Sequence, residues 1–296
     1  MSNYKGYLKL MRPANIVTSV ADVLAGVAIS GYLVDSKITF PTLIPILLLS
    51  LSTIGLYGGG VVFNDVFDAE LDKVERPERP IPSGEVALKN AVLLGSILLI
   101  IGIIAAAFVN MFSLLLSVLV AVAALVYDKF SKPHSILGPL NMGLCRGLNL
   151  LLGVSIVTSA VGVYWFLAFI PIIYIAAITM ISRGEVHGGD KRTLYIAALF
   201  YLVVIAGILI LSSGQNAIYW SLLFLLPFGW IIFSSLIKAV RLPSPKNIGL
   251  AVKSGVLALI LMNASWAAAF DSITLAFLIL LLLPLSLWLA RLFAVT

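Results

Sequence analysis

The sequence predicts an all-α integral membrane protein, a polytopic bundle of nine to ten transmembrane helices. Of its 296 residues, 61% are hydrophobic and 11% are charged, whereas soluble domains are about 45–50% apolar and about 25% charged. The mean hydropathy of +1.12 points the same way. This composition excludes a soluble globular protein, a disordered chain and a disulfide-rich secreted module. The single cysteine, Cys145, excludes an internal disulfide.

Ten apolar runs follow one another along the chain, each close to the length of about 20 residues that crosses a bilayer as a helix. They lie at roughly 14–33, 43–64, 88–108, 110–127, 136–156, 161–181, 193–212, 217–239, 247–268 and 273–293. Because the connections at 108–110 and 268–273 are short, nine spans is the alternative count. We expect one integral membrane domain over 1–296, with 273–293 as an additional C-terminal helix.

Lysine and arginine residues concentrate in alternate connections, as they do in the cytoplasmic loops of membrane proteins. Fifteen of them precede the first run or follow the second, fourth, sixth and eighth: Lys5, Lys9, Arg12, Lys73, Arg76, Arg79, Lys89, Lys129, Lys132, Arg183, Lys191, Arg192, Lys238, Arg241 and Lys246. Both termini and these loops are therefore predicted to be cytoplasmic, at the cell membrane if the source is prokaryotic. The placement of basic residues in these loops accounts for the net charge of +6. We therefore expect the lipid bilayer as a partner and no binding of nucleic acid.

An acidic motif ends the second run. Asn64, Asp68 and Asp72 are spaced by four residues, so on a helix they turn by only about 40° at each step and share one narrow face. Amide and carboxylate oxygens grouped in this way suit Mg²⁺, which binds a few carboxylates together with water and substrate phosphates. The alternative interpretation is a solvated acidic helix end that pairs with Arg76 and Arg79.

The motif at 64–72, followed by Arg-Pro-x-Arg-Pro-Ile-x-Ser-Gly at 76–84, resembles the first signature of the UbiA superfamily of intramembrane prenyltransferases. Arg12-Pro13-x-Asn15 at the start of the first run is similar to that family too, and the resemblance covers roughly residues 8–268. It implies a Mg²⁺-dependent enzyme that ionises a polyprenyl diphosphate and transfers the prenyl group to an aromatic or other small lipophilic acceptor.

The resemblance also implies roles for individual residues. Asn64, Asp68 and Asp72 would hold Mg²⁺ against the donor diphosphate, and three basic residues would assist its departure: Arg76, Lys132 and Lys191. The donor or acceptor would be bound by Arg12, Asn15, Arg79, Tyr127, Asn141 and Arg146. For the segment 127–132, an interfacial tyrosine with snorkelling lysines is an equal alternative.

Two ionisable residues lie inside predicted spans, Asp22 in the first and Arg146 in the fifth. Charges inside a membrane are costly and usually face a cavity or a partner. The sequence leaves two interpretations open. Either Asp22 and Arg146 pair with each other, or Arg146 lines an acceptor cavity together with Asn141 and Asn149.

The sequence departs from the family pattern after the sixth run, where a second Asp-x-x-x-Asp motif is usual. Here the acids are Glu185 and Asp190, five residues apart, which on a helix would separate them by about 140°. The Gly188-Gly189 pair favours a loop that would bring them together. His187 between them is either a metal or acceptor ligand, a base, or a plain surface residue. A second metal site with Glu185 and Asp190 as ligands is therefore an open expectation.

The segments around Arg146 and at 182–190 resemble an EboC-like branch of the superfamily. That branch leaves open a second function, a non-catalytic carrier or scaffold for a lipid or secondary-metabolite precursor. A third interpretation, a CDP-alcohol phosphotransferase, is disfavoured because no Asp-Gly…Ala-Arg segment precedes Asp65.

Overall fold

The computed structural model describes residues 4–33, 39–186, 188–215 and 217–293, and its regular elements over these ranges are all helices. The thirteen α-helices are α1 Tyr4–Met11, α2 Pro13–Ile29, α3 Phe40–Phe67, α4 Ala69–Glu75, α5 Leu88–Ala107, α6 Met111–Val126, α7 Leu137–Val154, α8 Thr158–Tyr164, α9 Phe169–Ser182, α10 Lys191–Gly214, α11 Ile218–Arg241, α12 Pro245–Ala269 and α13 Ile273–Leu292. The all-α membrane bundle predicted from the sequence is confirmed.

Each of the ten predicted apolar runs falls on helix. Within the described residues, eight helical segments are long and apolar enough to cross a membrane, and a ninth is formed if α1 and α2, which meet at an angle of 44°, count as one span. The fifth predicted run corresponds to α7, which is not among these segments: it has 18 residues and carries Asn141, Arg146 and Asn149. The sixth run includes a 3₁₀ turn at Trp165–Ala168 between α8 and α9, within the single helical segment Thr158–Ser182.

Helix α12 forms the centre of the bundle, with most of its second half buried, including the fully buried Trp266. It packs against α2, α9, α11 and α13, while α3 packs against α5 and α7 packs against α2, α6 and α9. Helix α13 lies against both α2 and α12, and Ser286 Oγ donates a hydrogen bond to the backbone oxygen of Ala14 over 3.1 Å. The additional C-terminal helix is thus an integral part of the bundle.

Helices α2 and α7 approach each other so closely that only glycine fits at the crossing. A Cβ atom on Gly153 would lie 2.1 Å from the backbone oxygen of Val23, and one on Gly26 would lie 2.2 Å from the backbone oxygen of Leu150. Small residues allow such backbone contact between membrane helices, where packing rather than the hydrophobic effect drives association. This contact holds the ionisable residues of α2 and α7 face to face.

Gly153→Ala is therefore expected to destabilise the protein by about 1–3 kcal/mol, because the added methyl group must push two backbones apart. The measurement is thermal unfolding of the purified protein in detergent. Gly162→Ala is the matched control, since a Cβ atom at Gly162 meets nothing within 4 Å. Equal melting temperatures for the two variants would contradict the close crossing of α2 and α7.

Candidate active site

The acidic motif keeps its helical spacing across the junction of α3 and α4. The backbone N–H of Asp68 donates to the oxygen of Asn64 over 3.0 Å, and that of Asp72 donates to the oxygen of Asp68 over 2.8 Å. These are the four-residue steps of an α-helix. The three side chains therefore follow one line along the end of α3 and the start of α4, as the sequence predicts.

Two arginines neutralise the buried acids of this motif. Arg79 Nη1 lies 2.7 Å from Asp72 Oδ2 and 3.1 Å from Asp65 Oδ1, and Arg12 Nη2 lies 2.6 Å from Asp65 Oδ1. Asp65 and Asp72 are 4% and 3% exposed, so unpaired charges here would be costly. Arg12 adopts a left-handed backbone (φ 46°) in the break between α1 and α2, which places its guanidinium at the start of α2 beside the motif. Of the ion pairs that the sequence offered as an alternative to a metal site, the one between Asp72 and Arg79 is therefore present.

The remaining motif residues face the end of α6, where the chain forms a π-helical turn at Tyr127–Ser131. Asn64 Nδ2 donates to Asp128 Oδ1 over 2.7 Å, and Lys132 Nζ forms an ion pair with Asp68. The backbone N–H of Lys132 closes the π turn on the oxygen of Tyr127 over 2.9 Å. Such π turns often occur at functional sites. The turn sets Asp128 and Lys132 opposite Asn64 and Asp68.

A cavity of about 330 Å³ opens beside these contacts and lies between α2, α3, α6, α7, α9 and α12. This is within the range of about 300–1,000 Å³ that is usual for ligand pockets. Thr53 and Asn64 of α3 both line it, so it extends about 16 Å along that helix. Nine predicted site residues line it: Arg12, Asn15, Asn64, Arg76, Arg79, Tyr127, Lys132, Arg146 and Glu185. Five are not among its lining residues: Asp68, Asp72, Asn141, Asp190 and Lys191.

Glu185 and Asp190 face different parts of the protein. Glu185 lines the main cavity, and burial raises the pKa of its carboxyl group above the usual value, while the nearby guanidiniums of Arg76 and Arg12 lower it. Asp190 is exposed, begins α10 as its N-cap by accepting a hydrogen bond from the N–H of Arg192 over 3.2 Å, and lines a separate surface cleft. The structure therefore does not bring the two acids together.

The residues next to Asp190 explain why it lies away from the main cavity. Lys191, the first residue of α10, is exposed, and the loop before it turns at Gly188 with φ 89°. This loop directs Asp190 and Lys191 away from the cavity. His187 lies outside the residues that the structure describes.

The deep end of the cavity carries a buried charged network. Arg146 Nη1 lies 2.7 Å from Asp22 Oδ2, and both residues are almost fully buried. Asp22 also accepts hydrogen bonds from Asn149 Nδ2 over 3.1 Å and from Asn263 Nδ2 over 2.7 Å. Both interpretations of the sequence therefore hold in part: Arg146 pairs with Asp22, and Arg146 and Asn149 also line the cavity. Asn141 instead donates to Ser131 Oγ over 3.0 Å.

The site offers Mg²⁺ oxygen donors but no all-protein cage among the described residues. Over the described ranges, no group of three His, Cys, Asp or Glu side chains lies close enough to hold a metal ion. Mg²⁺ rarely uses such an all-protein cage, since it usually binds one or two carboxylates, water and substrate phosphates. Asn64 on the cavity wall and the adjacent Asp68 carboxylate provide hard oxygen donors of this kind. The site fits a Mg²⁺ ion that shares its coordination with a bound diphosphate.

The UbiA prenyltransferase family model matches residues 23–248, most of the chain. The chain belongs to this family. It is accordingly a prenyltransferase, and the alternative of a CDP-alcohol phosphotransferase is wrong. The EboC-like branch stays a prediction.

Relatives of this UbiA family member include two digeranylgeranylglyceryl phosphate synthases. A digeranylgeranylglyceryl phosphate synthase from Thermococcus kodakarensis is 29% identical over 236 residues, which cover 74% of this chain and 82% of the relative. Another from Methanothrix thermoacetophila is 35% identical over 146 residues, which cover 49% of this chain and 52% of the relative. A UbiA homologue from Archaeoglobus fulgidus, solved with DMAPP and Mg²⁺, has a TM-score of 0.66 at 17% identity over 90% of this chain and 99% of that chain. The last similarity shows that the UbiA fold is shared.

Sequence reasoning did not assign roles to several polar residues of this UbiA-type cavity, among them Thr53, Tyr57 and Asp128. Thr53 Oγ1 donates to Asn149 Oδ1 over 2.7 Å, and the Arg146 guanidinium lies 4.7 Å from the centre of the Tyr57 ring. Asp128 is the acidic residue next to Tyr127 in the segment 127–132, and that position is the signal that could have identified it. Thr53 and Tyr57 precede Asn64 by eleven and seven residues, close to whole turns of α3.

Proposed function

We propose that this protein transfers a polyprenyl group, such as geranylgeranyl, from its diphosphate to a hydroxyl group of a glyceryl phosphate lipid, with Mg²⁺ as cofactor. One observation carries the proposal. A single cavity joins a mouth of arginine, lysine and acidic side chains to an interior of apolar helix faces within the membrane. A molecule with a diphosphate head and a hydrocarbon tail matches that division.

At the mouth, the basic side chains bind the diphosphate. Arg76 and Arg79 line the cavity and offer planar guanidiniums that match phosphate oxygens, while Lys132 adds a compact positive charge from the opposite wall. Tyr127 is buried and lines the same cavity. Asn64, Asp68 and Asp72 would hold Mg²⁺, which would neutralise charge that develops on the leaving diphosphate. Because Asp72 pairs with Arg79, diphosphate binding would loosen that ion pair.

In the proposed reaction, the bond between the donor C1 and the bridging diphosphate oxygen breaks, and the electron pair leaves with the diphosphate. The acceptor hydroxyl oxygen forms the new bond to C1, and its proton passes to an oxygen of the departed diphosphate. The apolar wall keeps water away from the cationic C1, through Leu56, Val61, Ile175, Ile178, Val252 and Val256. The fixed positive side chains at the mouth favour departure of the diphosphate.

The acceptor is inferred from the names of the relatives. Digeranylgeranylglyceryl phosphate carries two geranylgeranyl groups on glyceryl phosphate, so a synthase of this product adds one of them to a singly prenylated glyceryl phosphate. The aromatic acceptor expected from the family resemblance receives no specific support from these names. The glyceryl phosphate lipid is therefore the acceptor that we propose for this chain.

For the second acidic segment, we propose that Glu185 is the one residue placed to act as a metal ligand in the loop conformation described. Glu185 lines the cavity near Arg76 and Arg12, so it is placed to join a second cation on the diphosphate. Asp190 and Lys191 join it only if the Gly188-Gly189 loop moves them from the surface cleft to the cavity.

We also propose that the cavity mouth and both termini face the cytoplasm. Arg12, Arg76, Arg79, Lys132 and Glu185 all line the same cavity, although they come from four separate connections. That common location agrees with the predicted concentration of Lys and Arg in cytoplasmic loops.

The proposal is tested by product analysis in lipid nanodiscs. Wild-type protein with geranylgeranyl diphosphate and geranylgeranylglyceryl phosphate is expected to form the doubly prenylated lipid and inorganic diphosphate, measured by mass spectrometry. EDTA is expected to abolish the product and excess Mg²⁺ to restore it. A hydroxylated aromatic acid serves as the competing acceptor. Prenylation of the aromatic acid alone would contradict the proposed acceptor. Folded protein that forms no product from either acceptor would contradict the proposed prenyl transfer.

A further inference from the structure

We propose that Asp128 is a positioning residue that holds the Asn64 amide with its oxygen toward the Mg²⁺ site. This inference rests on the proposed function, because it concerns the metal of the donor diphosphate. The observation behind it is the hydrogen bond of 2.7 Å from Asn64 Nδ2 to Asp128 Oδ1, made between two side chains that both line the cavity.

An asparagine side chain has two different ends, and only one of them binds a cation. Its oxygen is a ligand for Mg²⁺, whereas its NH₂ group is a donor that a cation repels. A carboxylate accepts hydrogen bonds through both oxygens, so a neighbouring carboxylate attracts the NH₂ end. Asp128 therefore selects the orientation in which Asn64 Oδ1 is left for the cation.

The fold fixes this orientation by pairing two elements in register. Asn64 and Asp68 are one helical turn apart at the end of α3, and Asp128 and Lys132 are four residues apart at the π turn that follows α6. Each member of the first pair contacts one member of the second, through the amide to carboxylate hydrogen bond and the Lys132 to Asp68 ion pair. The second contact prevents the π turn from sliding along α3, so Asp128 stays opposite Asn64.

The role is that of an outer partner of a metal ligand. Groups of this kind orient the ligand, and their removal typically lowers metal affinity by about 10–100-fold. Asp128→Leu removes the acceptor while keeping a side chain of similar size, and Asp128→Asn offers an amide that both donates and accepts, so it no longer selects one orientation. Asp128→Leu is expected to lower the metal affinity by about 10–100-fold, and Asp128→Asn is expected to lower it by less.

The experiment measures Mn²⁺ binding by electron paramagnetic resonance to purified protein that is saturated with geranylgeranyl S-thiolodiphosphate, an analogue that does not ionise. Glu70→Gln is the matched control, because it also removes an acidic side chain near the motif, but an exposed one that pairs with Lys73 at the surface. Its Mn²⁺ affinity is expected to equal that of wild type. Thermal unfolding of every variant checks that the fold is intact.

A double-mutant cycle separates positioning from direct ligation or a general charge effect. In an Asn64→Ala background the amide is absent, so Asp128→Leu is expected to have no further effect on Mn²⁺ affinity. Affinity losses that multiply in the double variant, or an Asp128→Leu single variant within twofold of wild type, would overturn the inference. If Asp128→Leu does not fold, the same cycle is run with Asp128→Asn. Absence of Mn²⁺ binding to wild type with the analogue would instead overturn the proposed function.

Discussion

Asp68→Ala is expected to lower kcat for prenyl transfer roughly 10²–10³-fold, the loss typical when one preorganised group that stabilises transition-state charge is removed. The substitution deletes a carboxylate beside Asn64 and leaves the Lys132 ammonium without its partner at the cavity wall. Lys132 then retains its attraction for the diphosphate, so the donor KM is expected to change less than kcat. Steady-state kinetics over a range of donor and Mg²⁺ concentrations measure both quantities.

The control for Asp68→Ala is Glu70→Ala, two residues further along the same segment. Glu70 is exposed and pairs only with Lys73 in an exposed ion pair, so its loss is expected to leave kcat within about twofold of wild type. Asp68→Ala with wild-type kcat at saturating Mg²⁺ would contradict the assignment of this motif to the diphosphate site.

Arg146→Met is expected to be the most destabilising single substitution in the membrane-embedded part of the protein, by about 3–5 kcal/mol. It leaves the Asp22 carboxylate buried, with amide donors from Asn149 and Asn263 but no balancing positive charge. Helices α2, α7 and α12 all contribute to this network, so the loss acts on the centre of the bundle. Reversible unfolding in mixed micelles measures the change in free energy.

The companion to that substitution is the double variant Asp22→Asn with Arg146→Gln. It removes both charges and keeps hydrogen-bonding groups, and a buried ion pair replaced as a whole often costs little. We expect it to recover most of the stability lost in Arg146→Met. An Arg146→Met variant that is as stable as wild type would contradict a charged Asp22–Arg146 pair in the folded protein.

The membrane bundle was predictable from the sequence because length and hydropathy of a span are local properties. The apolar run at 193–212, for example, falls inside the helix Lys191–Gly214. The 3₁₀ turn at Trp165–Ala168 between α8 and α9 was not predictable in the same way, because it lies in a stretch that stays apolar throughout. Hydropathy records burial in lipid and does not record the exact backbone path.

The acidic motif was predictable because its spacing is helical and the helical hydrogen bonds continue through Asp68. Its partners were not, since Asp128 is 64 residues away from Asn64 and meets it only when α6 packs beside α3. The separation of Glu185 from Asp190 could not be predicted from the sequence either. It depends on a loop conformation at Gly188 that glycine permits but does not dictate.

The most direct test of the account is calorimetric titration of purified wild-type protein with geranylgeranyl S-thiolodiphosphate, with and without Mg²⁺. The account predicts saturable binding that requires Mg²⁺, disappears with EDTA and is weakened in Asp68→Ala. Folded protein that fails to bind the analogue, or binds it equally well in EDTA, would contradict a Mg²⁺-dependent diphosphate site at the mouth of the cavity.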